Sequence, residues 1–230
     1  MKADIVFTGA VEILLLLLAI SVHESAHAWV AERCGDSTGR TLGRVSLNPL
    51  RHFDPFGSLL LPLLQVAFQA PVFGWGRPAP VLPQNFRDPR RAELMVAAAG
   101  PFANGLLAAL ATVALGIAVH ALGPDARRAA FWTLVQHTDQ AIDLPGFPVM
   151  FTLVRMATIN AFLVVFNLIP LPPLDGGQIA LHFLPADWAA RLAAVRPYGF
   201  IIGIALAVFG VVTVLLLPFY GVLSVVIHLL

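Results

Sequence analysis

Residues 5–32 read IVFTGAVEILLLLLAISVHESAHAWVAE. Only Glu12 interrupts this apolar run before His23-Glu24-Ser25-Ala26-His27. A helix that crosses a bilayer needs about 20 apolar residues, and this run supplies them. An H-E-x-x-H pentapeptide on a helix places two imidazoles one turn apart on one face, with the glutamate able to reach the open position of a metal held between them. Here the pentapeptide sits at the end of a lipid-soluble helix, so its chemistry is expected inside a bilayer or at its edge.

The composition agrees with that placement. The chain has 230 residues, 58% hydrophobic and 12% charged, against about 25% charge in a soluble domain. The expected class is an all-α polytopic membrane protein, a bundle of about 4–6 transmembrane helices forming one domain over residues 1–230. The net charge of +1 says nothing about nucleic acid, but without a basic stripe interleaved with aromatics no nucleic-acid partner is expected. Cys34 is the sole cysteine, so no intramolecular disulfide can form. Lys2 and the run behind it imitate a signal peptide. Cleavage near Ser21 would destroy the pentapeptide, so the segment is read as a retained helix.

Beyond residues 5–32, the polar stretch Arg40–Pro55 and the Pro/Arg-rich loop Gly74–Arg91 suggest a small β-strand and loop element near the site, within residues 40–91. Gly57–Pro71 between them is apolar but short, and Pro62 is expected to break it. A second core helix is expected over residues 92–122, and a short amphipathic helix near Ala126–Thr138. A third core helix, ending in L-D-G-G, is expected over residues 148–177. Asp187–Arg196 reads as interfacial. Residues 198–230 form a C-terminal membrane segment that Pro218 is expected to kink or split. Gly105, Gly116, Gly203 and Gly210 suit close helix packing.

Two histidines bound to one metal need further protein ligands, usually one more in a hydrolase. Asp175 is the candidate. Pro170 and its neighbours end the preceding helix, while Gly176 and Gly177 permit close approach and positive φ. Asp175 reads equally as a metal ligand or as the cap of the helix that follows. If it meets His23 and His27, the first and third core helices run in the same direction and the second runs opposite. Gly57–Pro71 is then re-entrant or shallow. The loops on the metal side carry Arg33, Arg40, Arg44, Arg51, Arg77, Arg87, Arg90 and Arg91; the opposite connection carries Arg127 and Arg128. Basic loops stay cytoplasmic, so the site is expected to face the cytoplasm of a cell (inner) membrane, with the N-terminus outside.

H-E-S-A-H, G-P-F-A-N at Gly100–Asn104 and N-L-I-P-L-P-P-L-D-G-G at Asn167–Gly177, in this order, resemble the site-2 protease family of intramembrane zinc metalloproteases. The F-G-W-G-R-P-A-P-V stretch from Phe73 resembles its compact prokaryotic members, which lack PDZ and nucleotide-sensing modules. The resemblance spans about residues 10–215. It implies one zinc ion per chain held by His23, His27 and Asp175, with Glu24 as general base. It matches Asn104 to a polar residue of the neighbouring helix, catalytic if it donates to the developing oxyanion and structural if it only bonds helix to helix. Gly100, Asn167, Pro170 and Gly176 read as structural residues near the site; Asn167 would bond freed backbone or orient Asp175. Implied partners are the lipid bilayer and membrane proteins with a transmembrane helix, or signal-peptide remnants. An unwound substrate could add as a strand to Arg40–Pro55 or Ala79–Pro83.

Other residues are assigned humbler roles. His52 and Asp54 read as turn residues with solvated side chains, and His120, His137 and His228 as interfacial. His182 is a rival ligand, and Glu93 would be the third ligand of a different metalloprotease class. Glu12, about 16 Å along the helix from His23, is expected near the outer interface or in a buried polar contact, and Arg155 to snorkel outward. The alternative function is a non-enzymatic membrane protein of the same fold, a zinc-binding adaptor or chaperone.

Overall fold

The computed structural model describes residues 2–68, 70, 72–135 and 138–229. His137 and Pro71 therefore lie outside the described residues. Among the described residues, nine helices of at least nine residues organise the fold: α1 (Lys2–Cys34), α2 (Pro55–Ala67), α3 (Pro89–Leu122), α4 (Pro124–Leu134), α5 (Phe147–Asn167), α6 (Asp175–Phe183), α7 (Ala186–Ala194), α8 (Arg196–Val208) and α9 (Val211–Leu229). Four of them, α1, α3, α5 and α9, are long and apolar enough to cross a membrane. Their outer faces carry exposed Leu14, Leu110, Val113, Ile117 and Leu215. Apolar surface of that extent belongs in lipid. The all-α polytopic class holds.

Helix boundaries follow local chemistry. Asp88 accepts from the Arg91 N–H and Pro89 opens α3, where a missing N–H is harmless. Asp54 caps α2 by accepting from Phe56 and Gly57, a capping role in place of a solvated turn residue. At 13 residues α2 is about 20 Å long, short of a hydrocarbon core of about 30 Å. Pro62 does not break it, contrary to expectation. It lies just past a wide π-type turn over Pro55–Leu60, early in the α-helical part, where its lost N–H is tolerated. The third core segment is two helices: α5 ends at Asn167, and Asp175 starts α6. The C-terminal segment also divides, but not at Pro218, which lies inside α9. The break is at Gly210, whose φ of +80° only glycine adopts freely. α7 and α8 meet at 71°, where Pro197 near the start of α8 cannot continue the bonding of α7.

No strand forms among the described residues, which corrects the expected β element. Residues 73–82 are extended, but the N–H groups that a partner strand would take are spent elsewhere. Those of Phe73, Trp75 and Arg77 donate to Gln65 Oε1 (3.1 Å), Gly57 O (3.2 Å) and His52 O (2.7 Å). Close approach depends on Gly57, where a Cβ would lie 2.4 Å from the Trp75 ring, and on Gly74, where it would lie 2.0 Å from Gly57 O. Trp75 is thereby packed inward, edge-on to Phe200.

Cross-helix contacts set the directions. His27 meets Val96, and His23 and Ala19 meet Asn104, so α1 and α3 are antiparallel. Glu12 meets Arg155, and Asn104 joins Ala19 to Asn160, so α1 and α5 are parallel. Leu115, Val119, Met150, Phe151, Leu223 and Ile227 pack together away from the pentapeptide, and Leu16, Ile20, Ile159 and Leu163 fill the α1–α5 seam beside it.

Glu12 takes the buried polar contact, and Arg155 turns inward to it, which corrects the expectation that Arg155 reaches outward. They pair at 2.8 Å, each less than one-fifth exposed, and the guanidinium also lies over Phe151. Removing one partner from a buried pair strands the other charge, at about 3–5 kcal/mol. Arg155→Leu should therefore destabilise the protein by that order, and Glu12→Leu/Arg155→Leu should recover most of the loss, as read by unfolding in mixed micelles. Additive losses would show that the two groups do not depend on each other.

Candidate metal centre

Helical spacing brings the imidazoles of His23 and His27 edge to face, with ring centroids 4.6 Å apart and Nε2 atoms 3.0 Å apart. Both are buried. Asp175, the first residue of α6, places Oδ2 3.2 Å from His23 Nε2 and 3.4 Å from His27 Nε2. Two tight turns of packing put it there. A Cβ at Gly176 would lie 2.3 Å from Leu168 O, and one at Gly177 2.2 Å from Pro172 N. Neither glycine has positive φ, so close approach alone explains them. Gly100 on α3 makes room for the histidines: a Cβ there would lie 2.4 Å from His27 Nε2.

The proton positions follow from the partners. His27 Nδ1 lies 2.7 Å from Val96 O, which can only accept, so Nδ1 carries the hydrogen. His23 Nδ1 lies 2.6 Å from Asn104 Oδ1 and donates to it. In the neutral rings, the form that binds a metal, each Nε2 therefore presents a lone pair. Asp175 Oδ2 is buried without a hydrogen-bond donor. Three electron-rich atoms facing one another at 3.0–3.4 Å repel unless a proton or a metal cation lies among them. Bonds of about 2.0–2.2 Å from such atoms to one tetrahedral zinc ion would set them about 3.3 Å apart. The residues fit a zinc ion. Among the described residues this is the one such group of His, Cys, Asp and Glu; His182 lies outside it, edge-on to Phe183, and so does Glu93.

Glu24 lines a cavity of about 900 Å³ together with His23, His27 and Asp175. Its Oε2 accepts the Ala79 N–H at 2.8 Å. The extended segment thus touches the site through one backbone group. Asp36 holds the far end of that segment, a role not read from the sequence. Fully buried just past α1, it accepts from Leu82 N–H (2.7 Å), Asn85 Nδ2 (2.8 Å) and the Thr38 N–H (3.1 Å) and hydroxyl (2.5 Å). Burial pushes its carboxyl upward, but the bonds from Asn85, Thr38 and Leu82 outweigh that and hold it below the ordinary value. An aspartate two residues past a helix end, before Thr38, was the available signal.

Three expectations need correction. Asn104 is fully buried, and its amide N–H groups donate to Asn160 Oδ1 (2.8 Å) and Ala19 O (3.2 Å). It has no donor left for an oxyanion and acts on His23 instead. Asn167 bonds Leu163 O of its own helix at 3.0 Å, not Asp175. His52 is not solvated: it is 1% exposed, and its Nε2 bonds Ser46 O at 2.9 Å.

The model of peptidase family M50 matches residues 11–210. The chain is 36% identical over 196 residues to "Putative zinc metalloprotease YwhC" of Bacillus subtilis, covering 85% of this chain and 79% of that protein. It is 33% identical over 193 residues to "Putative zinc metalloprotease Rip2" of Mycolicibacterium smegmatis, covering 84% and 64% respectively. With Rip2 of Mycobacterium tuberculosis (strain Erdman) the identity is 27% over 191 residues, 83% of this chain and 63% of that one. The chain thus spans somewhat under two thirds of the length of the Rip2 proteins. No solved structure matches it.

Proposed function

Because the chain belongs to peptidase family M50, the site-2 protease family, we propose that it is a zinc endopeptidase that cuts peptide bonds within or near transmembrane segments of membrane proteins or signal-peptide remnants. The observation that supports this most is the convergence of two Nε2 lone pairs and one carboxylate oxygen beside Glu24, on a helix long and apolar enough to span a bilayer. The biased distribution of arginines supports an active site toward the cytoplasm of the cell membrane and an N-terminus outside.

His23, His27 and Asp175 would hold the zinc. Bound there, zinc supplies a Lewis acid that brings the pKa of water toward about 7 and polarises a carbonyl. Glu24 then takes the proton as the water oxygen bonds to the scissile carbonyl carbon. It returns the proton to the amide nitrogen as the C–N bond breaks, giving a carboxylate and an amine. The Ala79 N–H engages Oε2 and leaves Oε1 to carry that proton. Asn104 keeps the His23 ring in place. Gly100 admits both rings, and Gly176 and Gly177 admit the close approach of the turn that carries Asp175.

The substrate must be unwound at the cut, since helical peptide bonds are shielded. Ala79 and Leu82 have already given their N–H groups to Glu24 and Asp36, so strand addition there is unfavourable. Among the described residues, the N–H groups of Gly74 and Gly76 have no partner, and both residues line the cavity. An extended substrate would pair along this edge. With zinc content confirmed and cleavage of a single-span protein established in proteoliposomes, Pro78→Cys in a Cys34→Ser background should cross-link to a substrate cysteine scan at every second position. A repeat of three to four residues would mean a helical substrate and would overturn the edge. Zinc bound with no cleavage of any unwound membrane helix would favour an adaptor or chaperone.

A further inference from the structure

We propose that Asn160, on α5, is a positioning residue that fixes the protonation pattern of His23 through Asn104 and thereby sets the affinity of the metal centre. The inference rests on the reading of His23 as a ligand. Asn160 does not touch either histidine of the pentapeptide or Asp175 in any recorded bond. It is fully buried, as is Asn104, so neither amide can turn to water.

The order of donors and acceptors allows one arrangement. Met156 O and Ala19 O are backbone carbonyls and only accept. Asn160 Nδ2 donates to Met156 O at 2.8 Å, which turns Asn160 Oδ1 toward Asn104. Asn104 Nδ2 then donates to both Asn160 Oδ1 (2.8 Å) and Ala19 O (3.2 Å). That leaves Asn104 Oδ1 facing His23 Nδ1 at 2.6 Å, able only to accept. In the neutral ring Nδ1 then carries the hydrogen and Nε2 is bare. Were the Asn104 amide reversed, its oxygen would face two oxygens, and its NH₂ would face Nδ1. Nδ1 would then have to accept, Nε2 would be protonated, and the lone pair aimed at the other two donor atoms would be gone. Asn160 supplies the stronger of the two bonds against that reversal. Residues that orient a ligating imidazole in this way are worth about 10–100-fold in metal affinity.

The test uses the full chain in detergent and measures zinc affinity by competition with a chromophoric chelator at pH 6, with no reference to cleavage. Asn160→Leu has similar bulk and no polar atom, and should weaken zinc binding at least about tenfold. Asn160→Asp, whose acid form still accepts from Asn104 and donates to Met156 O, should stay within about threefold of wild type. Asn160→Ala removes the same acceptor without added bulk and replaces the leucine variant if that one does not accumulate. Binding within about twofold of wild type in Asn160→Leu or Asn160→Ala would overturn the proposal. So would an Asn160→Asp protein as weak as these, since an acceptor retained toward Asn104 would then not preserve the site. His23→Ala is measured in parallel. Zinc kept by that variant would overturn the metal-centre reading and this inference together, whereas zinc lost there but kept in Asn160→Leu would overturn this inference alone.

Discussion

Glu24→Gln should lower cleavage of a membrane substrate by about 10²–10⁴-fold while zinc remains bound at about one ion per chain. Glutamine has the shape of glutamate, and its carbonyl oxygen can still accept the Ala79 N–H, so the extended segment keeps its place against the site. The substitution removes one capacity, that of taking a proton from water and delivering it to the departing nitrogen. A loss of that size corresponds to about 3–5 kcal/mol of transition-state stabilisation. The measurement pairs metal analysis with single-turnover cleavage in proteoliposomes. Cleavage within about tenfold of wild type would remove Glu24 from the mechanism. Loss of zinc together with activity would mean that Glu24 supports the metal and would leave the base unassigned.

Asp175→Ala should abolish both zinc binding and cleavage. Its Oδ2 is the only one of the three converging atoms that carries formal charge, and it is contributed from a position about 150 residues beyond the pentapeptide. Without it two neutral imidazoles remain. The affinity should fall by more than the roughly 100-fold upper range for residues that only orient a ligand. Ligand linkage gives a second readout: at a free zinc concentration of about 1,000 Kd the wild type gains about 4 kcal/mol of stability, and the variant should gain none. Zinc-dependent stabilisation of normal size in Asp175→Ala would mean that the carboxylate is a helix cap and that the third ligand lies elsewhere.

Features set by composition and short-range pattern were legible in the chain. The apolar runs around Leu16, Leu110 and Val154 require membrane helices whatever their neighbours, and the i, i+4 spacing puts His23 and His27 on one face without further information. Asp175 was legible only as one of two choices, because a carboxylate at a helix start serves a cap or a metal equally well until its neighbours are known. The extended segment misled in an instructive way. Its composition suits a strand, but pairing is decided by partners, and here helix ends and side chains from Gly57 to Gln65, with His52, occupy the N–H groups. Asn104 was legible as close to the chemistry but only as one of two choices, oxyanion donor or helix–helix bond, since which way an amide turns depends on Asn160, 56 residues away. Gly210 outweighed Pro218 because a left-handed residue ends a helix, whereas a proline inside a membrane helix gives up one N–H that the surroundings can tolerate.

The pairing of Glu12 with Arg155 bears on biogenesis. During synthesis α1 leaves the ribosome 143 residues before its guanidinium partner. At about 5–20 residues per second that is an interval of roughly 7–30 s. Throughout it the first segment carries its carboxyl group without the partner it has in the folded chain, a cost that falls on the early insertion intermediates. Arrival of α5 relieves them, and the order of translation itself becomes part of how the assembled bundle is selected over a half-built one.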